Sequence, residues 1–280
     1  MKKIVIIYHR NCSDGFGAAW VAWKKFGNQA EYITATHPSS PPKNLKGKEV
    51  YMLDFCYSAK EMQAVLREVL KLTVIDHHIS QKNAIKFSTN YVFNTSNSGA
   101  VLAWKYFFPG QKTPKLLLYI EDKDIWKWSL KGTQEYFAFL ETHNFDFKVW
   151  DKLIKDFADT TKRKSFYGLG AAITSFNNQQ IDALASSAES VIFDNRKCLA
   201  VNSPLFISEI GHILALKIKG VGIVWCKKGN KLKISMRSNG KIDVAKIATK
   251  KGGGGHRSAA SFSLDITDSI IKLPWKRAAK

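Results

Sequence analysis

The sequence has no apolar run approaching the roughly 18 residues of a membrane-spanning helix, which argues against a helical integral membrane protein. Its opening, Met1-Lys2-Lys3-Ile4-Val5-Ile6-Ile7-Tyr8, starts like an export signal, but His9-Arg10-Asn11 interrupts it before an h-region is complete. This stretch reads as a buried first strand, and the expected compartment is the cytoplasm. Cysteine is scarce. Cys12, Cys56, Cys198 and Cys226 form no C-x-x-C pair, which excludes a zinc ribbon and a disulfide framework. No internal repeat or long low-complexity tract occurs. Acidic residues are also few: 23 against 43 Lys+Arg in 280 residues, a formal net charge of +20. The excess is uneven, because from Arg196 onward 18 Lys/Arg face only 4 Asp/Glu, so this last third carries +14 of the total. Such a basic region is the electrostatic footprint of a polyanion binder.

What is present is ordinary folded composition, 45% hydrophobic and 24% charged, in a chain sized for two domains. The first half alternates strand and helix. Lys3–Tyr8, Glu31–Thr36, Glu49–Leu53 and Leu72–Ile75 read as strands, with helices from about Phe16 to Phe26 and from a capping box at Ser58 to about Leu70. This order predicts an α/β fold with a mostly parallel sheet and helices on both faces. Residues from about Ser98 to Ser190 read as a helical connector, with Asn177-Asn178-Gln179-Gln180 marking a turn or helix start. Beyond Asp194-Asn195 a smaller mixed α/β domain is expected. Its parts are a strand at Cys198–Val201, a helix near Leu205–Leu214, a hairpin turning at Gly229-Asn230, a helix over Val244–Thr249, four glycines and a strand near Ser261–Leu264. The expected domains are therefore 1–193 and 194–280.

Three of the predicted strands end in groups able to bind metal: His9 through Asp14, Asp54, and Asp76-His77-His78. Ligands of open α/β sheets sit outside the carboxyl ends of the strands, so these groups should converge in one crevice. One aspartate at a strand end is commonly a turn or cap, but three such ends together, one bearing Asp-His-His, point to a site. Mixed carboxylate and imidazole donors suit Mn²⁺ better than an all-oxygen Mg²⁺ site or a thiolate Zn²⁺ site.

These motifs, in this order, resemble those of the DHH phosphoesterases that carry a DHH-associated C-terminal domain. The resemblance rests on His9-Arg10-Asn11-Cys12-Ser13-Asp14-Gly15 with Ala18-Ala19, on Leu53-Asp54-Phe55 with Ser58, on Asp76-His77-His78, and on Asp124-Ile125-Trp126. It continues in Ser235-Met236-Arg237-Ser238-Asn239-Gly240 and in Gly252-Gly253-Gly254-Gly255-His256 with Ala259-Ala260. The resemblance implies a two-metal site with His9, Asp14, Asp54, His77 and Asp124 as ligands, Asp54 bridging, and two Mn²⁺ ions as cofactor, Mg²⁺ or Co²⁺ being substitutes. Asp76 would orient an imidazole and His78 would stabilise charge at the scissile phosphate. Asp122 rivals Asp124 as the fourth-motif ligand. In the second domain Arg237, Ser238, Gly253, Gly254, Gly255, His256 and Arg257 would bind substrate, with the active site in the cleft between the domains.

Two positions depart from the family pattern. Cys12 stands where the first of two aspartates is common, and Ser261 where glycine often follows the alanine pair. Cys12 is then a ligand or a packed side chain; packing is the expectation, since a free cysteine usually behaves as a small hydrophobe. Ser98-Gly99 is expected to be a plain helix cap. His37, His143 and His212 fall outside the motifs and are expected to be structural or exposed. Most tryptophans, Trp20, Trp23 and Trp104 among them, are expected in the core. The activity implied is Mn²⁺-dependent hydrolysis of short RNA or DNA oligonucleotides to 5′-mononucleotides, as in the nanoRNase (oligoribonuclease) branch. Rivals are a 3′,5′-bisphosphate nucleotide phosphatase, a cyclic-dinucleotide hydrolase, a RecJ-like single-strand exonuclease and a non-catalytic nucleic-acid binder.

Overall fold

In a computed structural model of the chain, residues 2–37, 39–266 and 273–277 are described. The first strand, β1 (Ile4–His9), is followed by α1 (Ser13–Phe26), β2 (Ala30–Ala35), β3 (Glu49–Leu53), α2 (Ala59–Glu68), β4 (Lys71–Asp76) and β5 (Asn90–Phe93). The five strands form one parallel sheet in the order β2-β1-β3-β4-β5. Because crossover helices cover both faces of such a sheet, its strands are buried on both sides and read as near-continuous apolar runs. Val5, Ile7, Val50, Met52, Leu72 and Val74 pack on one face with Met62 and Val65 of α2. Ile6, Tyr8, Tyr51, Leu53 and Ile75 pack on the other with α1. The capping box expected at Ser58 is present, with Glu61 reaching back to it.

The same core takes in α3 (Gly99–Phe107), α4 (Lys115–Asp124), α5 (Thr133–Leu140) and α6 (Phe147–Ala158). Trp20, Trp104 and Trp150 lie in this core, and Trp23 packs against it. Residues 177–180 start no helix. They lie inside α7 (Thr160–Ser186), where Asn178, Gln179 and Gln180 are exposed, so the polar run serves a solvated helix face.

The chain divides into compact units Met1–Thr174 and Ser175–Lys280, not near residue 194. A strand missed in the sequence, β6 (Glu189–Phe193), pairs with β7 (Arg196–Asn202), and Ile181 and Ala185 of α7 pack with Val201. The change in charge near Arg196 therefore lies past the start of the second unit. After β7 come α8 (Ile207–Ile218), β8 (Val221–Lys228), β9 (Lys231–Ser238), α9 (Val244–Thr249), β10 (Gly254–His256), β11 (Ala259–Asp265) and β12 (Lys276–Arg277). They build a mixed sheet in the order β10-β11-β9-β8-β7-β6-β12, in which β7 and β8 are parallel. The hairpin turn at Gly229-Asn230 forms as expected, with Gly229 at φ 59°.

Candidate metal centre

Parallel register brings the carboxyl ends of β1, β3 and β4 level: Tyr8 pairs with Leu53, and Leu53 with Ile75. The residues that follow each pairing, His9, Asp54 and Asp76-His77-His78, therefore leave the sheet side by side. Asp54 adopts φ 53°, a left-handed turn that is tolerated by Asp more readily than by most residues, and its N–H donates to the Ile75 carbonyl at 2.9 Å. Gly15 lies so close to β1 that a Cβ there would sit 2.5 Å from the His9 carbonyl oxygen. Only glycine lets the start of α1 approach β1 and place Asp14 beside the strand end.

Each carboxylate has its own support. Asp14, 1% exposed, accepts from the backbone N–H groups of Gly99 (2.6 Å) and Ala100 (2.9 Å) at the start of α3. Asp54, 2% exposed, lies 3.2 Å from His77 Nε2 and 3.6 Å from His9 Nδ1. Asp124, at the end of α4, lies 3.4 Å from His77 Nε2, and Asp14 3.8 Å from the same atom. Asp76 faces backward. Its Oδ1 accepts from the N–H of His77 (2.7 Å) and of His78 (3.1 Å) and lies 2.7 Å from His78 Nδ1, so one carboxylate orients both histidines.

Burial and the neighbouring carboxylates Asp124 and Asp54 hold the Asp14 carboxyl well above the usual range. Burial and Asp54 raise Asp124 too, while His77 pulls it down. Burial pushes Asp54 up, but the nearby His77 and His9 nitrogens outweigh it and leave this carboxyl lowered. Burial opposes charge on the histidines, but Asp54 raises His77 to about 10 and Asp76 raises His78 to about 9. Burial and mutual repulsion thus disfavour the anionic forms of Asp14 and Asp124, the electrostatic setting a bound cation relieves.

Three sets of donor atoms lie within 4.8 Å of one another: Asp54-Asp76-His77-His78, His9-Cys12-Asp54, and Asp14-His77-Asp124. Asp54 Oδ1 and His9 Nδ1 are buried and have no hydrogen-bond partner among the described residues. Buried polar atoms are rarely left so, and both point to an absent partner. The residues present fit divalent metal, and Asp54 stands in two of the sets.

Asp122 and Asp124 part company. Asp122 Oδ1 accepts from Ser129 N (2.9 Å) and Oγ (2.7 Å), and Oδ2 from Leu130 N (3.0 Å) and Thr133 Oγ1 (2.6 Å). It organises the loop after α4, and Asp124 faces the cluster.

In the second unit Arg237 donates from Nη2 to Ser208 Oγ (2.7 Å) and from Nη1 to the Met236 carbonyl (2.9 Å). Ser238 Oγ donates to the Ile242 carbonyl at 2.6 Å, which commits its proton within the loop. Arg257 reaches the Gly240 carbonyl (2.9 Å) and Asp243 (3.6 Å), yet its side chain stays largely exposed. Within Gly252–His256, β10 pairs with β11, and a Cβ at Gly253 or Gly255 would collide with β11. Part of the demand for glycine here is thus steric.

Residues 209–273 match the DHHA1 domain family model. An uncharacterized protein of Acanthamoeba polyphaga mimivirus, R106, is 28% identical over 286 residues, covering 92% of this chain and 67% of its own length. Similar solved structures include an exopolyphosphatase-related protein from Bacteroides fragilis (TM-score 0.58, 15% identity, 96% of this chain and 88% of that one). The DHH domain of a member of the s1p family of ribosomal proteins gives a TM-score of 0.58 at 13% identity, over 93% and 82% of the two chains. RecJ from Thermus thermophilus, in complex with Mn²⁺, gives 0.54 at 12% identity, over 94% of this chain and 50% of RecJ. The chain thus shares the fold of these DHH-type structures, and its residues 209–273 match the DHHA1 model.

Two features of this DHH-type unit escape sequence reasoning. Ser98 caps α3 as expected, accepting from Val101 N, but the first N–H groups of α3 hold Asp14 across 85 residues of sequence. His37 stacks on Phe55 at 4.7 Å, and His9 lies on the same ring at 6.4 Å, so a residue outside every motif sits at the rim of the cluster. No periodicity announces either contact.

Proposed function

We propose that the protein is a divalent-metal-dependent phosphodiesterase that hydrolyses short RNA or DNA oligonucleotides to 5′-mononucleotides. The observation that carries this reading is the convergence of His9, Asp14, Asp54, His77 and Asp124 at the carboxyl end of the sheet, with Asp54 shared between donor sets. Those five residues would hold two ions, Mn²⁺ first, with Mg²⁺ or Co²⁺ as substitutes. When bound, such ions lower the pKa of an attacking water and offset charge on the phosphate oxygens. The chain's own groups do the remainder. Asp76 fixes the His77 and His78 backbone and the His78 ring, so His78 can donate to a phosphoryl oxygen as charge develops there. The α3 N–H groups keep the Asp14 carboxylate in one orientation. The basic DHHA1 domain would bind the polyanion, with Arg237, His256 and Arg257 as anion contacts and the glycines as close-approach backbone.

The fold of RecJ, described with Mn²⁺, supports the metal class, and the +14 excess supports a polyanionic substrate. The test is turnover by purified protein with Mn²⁺ on dinucleotides, longer RNA, single-stranded DNA and adenosine 3′,5′-bisphosphate. The reading expects dinucleotides and other short oligomers to be cleaved fastest. Preference for substrates beyond about ten nucleotides, the regime of extended grooves, would assign the site to exonuclease action. Release of phosphate from the bisphosphate alone would assign it to nucleotide phosphatase chemistry.

A further inference from the structure

Cys12 does not pack as a small hydrophobe. Cys56 and Cys198 are buried within apolar clusters, whereas Cys12 is only half-buried and belongs to none of the apolar clusters formed by the described residues. It occupies the N-cap position of α1, where Ser58, Ser98, Asp146 and Asp243 each cap the helix that follows them with their side chains. Cys12 makes no such cap. Its Sγ instead lies within 4.8 Å of a nitrogen of His9 and a carboxylate oxygen of Asp54. His9 Nδ1 is buried without a hydrogen-bond partner among the described residues, 3.6 Å from Oδ2 of Asp54, a carboxylate only 2% exposed whose other oxygen is likewise unpartnered. The charged groups around the sulfur are Asp54, Asp124 and Asp14. Carboxylates favour a cation at this spot and offer a thiol no packing surface.

We propose that Cys12 is a metal ligand, forming with His9 and Asp54 a pocket selective for a thiophilic divalent cation of the Zn²⁺, Co²⁺ or Fe²⁺ class over Mg²⁺. Sulfur is a soft donor, imidazole an intermediate one and carboxylate a hard one, so this set ranks borderline cations above hard ones. The second set, Asp14-His77-Asp124, has no sulfur and keeps the harder character that Mn²⁺ or Mg²⁺ accepts. The two pockets, which adjoin where His77 Nε2 lies 3.2 Å from Asp54, are therefore chemically unequal, and the protein's metal requirement is a mixed one. This inference rests on the proposed metal-dependent function.

The experiment is optical and calorimetric titration of metal-stripped full-length protein with Co²⁺. The expected result is a near-ultraviolet thiolate-to-cobalt charge-transfer band that is bleached by Zn²⁺, unaffected by excess Mg²⁺, and absent from Cys12→Ser and Cys12→Asp. Circular dichroism establishes that both variants fold. Zn²⁺ affinity should fall at least about tenfold in Cys12→Ser, no less than the loss of a supporting residue costs, while Cys12→Asp narrows the preference between Zn²⁺ and Mg²⁺. Cobalt binding without the band, or a band that survives in Cys12→Ser, overturns the role of Cys12 and leaves the phosphodiesterase reading standing. Absence of Co²⁺ binding in the calorimeter overturns both.

Discussion

Gly99 and Asp54 touch so closely that a Cβ on Gly99 would sit 2.6 Å from the Asp54 Cβ and 2.9 Å from its Oδ1. The same Cβ would stand 3.0 Å from Asp14 Oδ2, so the start of α3 is pressed against two carboxylates at once. Gly99→Ala must push one of them aside. Overpacking of this kind costs about 1–3 kcal/mol, so a modestly lowered melting temperature is expected. Mn²⁺ affinity by calorimetry should fall about 10–100-fold, the range for loss of a group that orients ligands. A variant that binds Mn²⁺ like wild type would show that α3 does not position Asp14 and Asp54.

Asp54→Ala and His77→Ala should each lower kcat by at least about 10²-fold, the lower bound for removing one group that acts on developing charge. Oligonucleotide binding, followed by fluorescence anisotropy, should persist through the basic second unit. Near-wild-type kcat in either variant would falsify the two-metal assignment.

Asp122 and Asp124 lie on one helix, two residues apart, and should fail in opposite ways. Asp122→Ala leaves the Ser129, Leu130 and Thr133 donors without their acceptor, and buried unsatisfied donors cost about 1–3 kcal/mol each. Urea unfolding should therefore show a clear loss of stability with metal stoichiometry retained. Asp124→Asn removes a charge from an anionic cluster, so it should keep or raise metal-free stability while losing metal at calorimetric titration. If Asp122→Ala lost the metal and Asp124→Asn did not, the fourth-motif ligand would be reassigned.

Arg237→Ala and His256→Ala should raise KM by about 10–100-fold at little change in kcat, since a charge-assisted contact is worth about 1.5–3 kcal/mol and acts on ground state and transition state alike. Ser238→Ala offers the contrast. Its hydroxyl proton is committed to the Ile242 carbonyl, so it should lose stability by about 1 kcal/mol with KM unchanged. Steady-state kinetics on a dinucleotide, beside thermal melts, separates the three.

Strands β1, β3 and β4 are legible because buried parallel strands carry their apolar runs in sequence, and several of the proposed metal-centre residues end or directly follow such a run. Chain direction delivers His9, Asp54 and Asp76-His77-His78 to the ends of strands, so the sequence by itself places them. The capping box at Ser58 and the Gly229-Asn230 turn were equally local, set by backbone chemistry over a few residues. Strands β5 and β6 are short and carry exposed positions, so pairing partners rather than pattern decide them. Tertiary structure alone decided the division of the chain at residue 174, since the sheet and helix contacts that assign α7 and β6 are not written in composition. It alone separated Asp122 from Asp124, because residues two apart on a helix differ by about 200° in direction. And it alone brought Gly99 to Asp14 and set Cys12 beside His9 and Asp54, because distances across a packed core depend on how elements dock, a property no single segment of sequence contains.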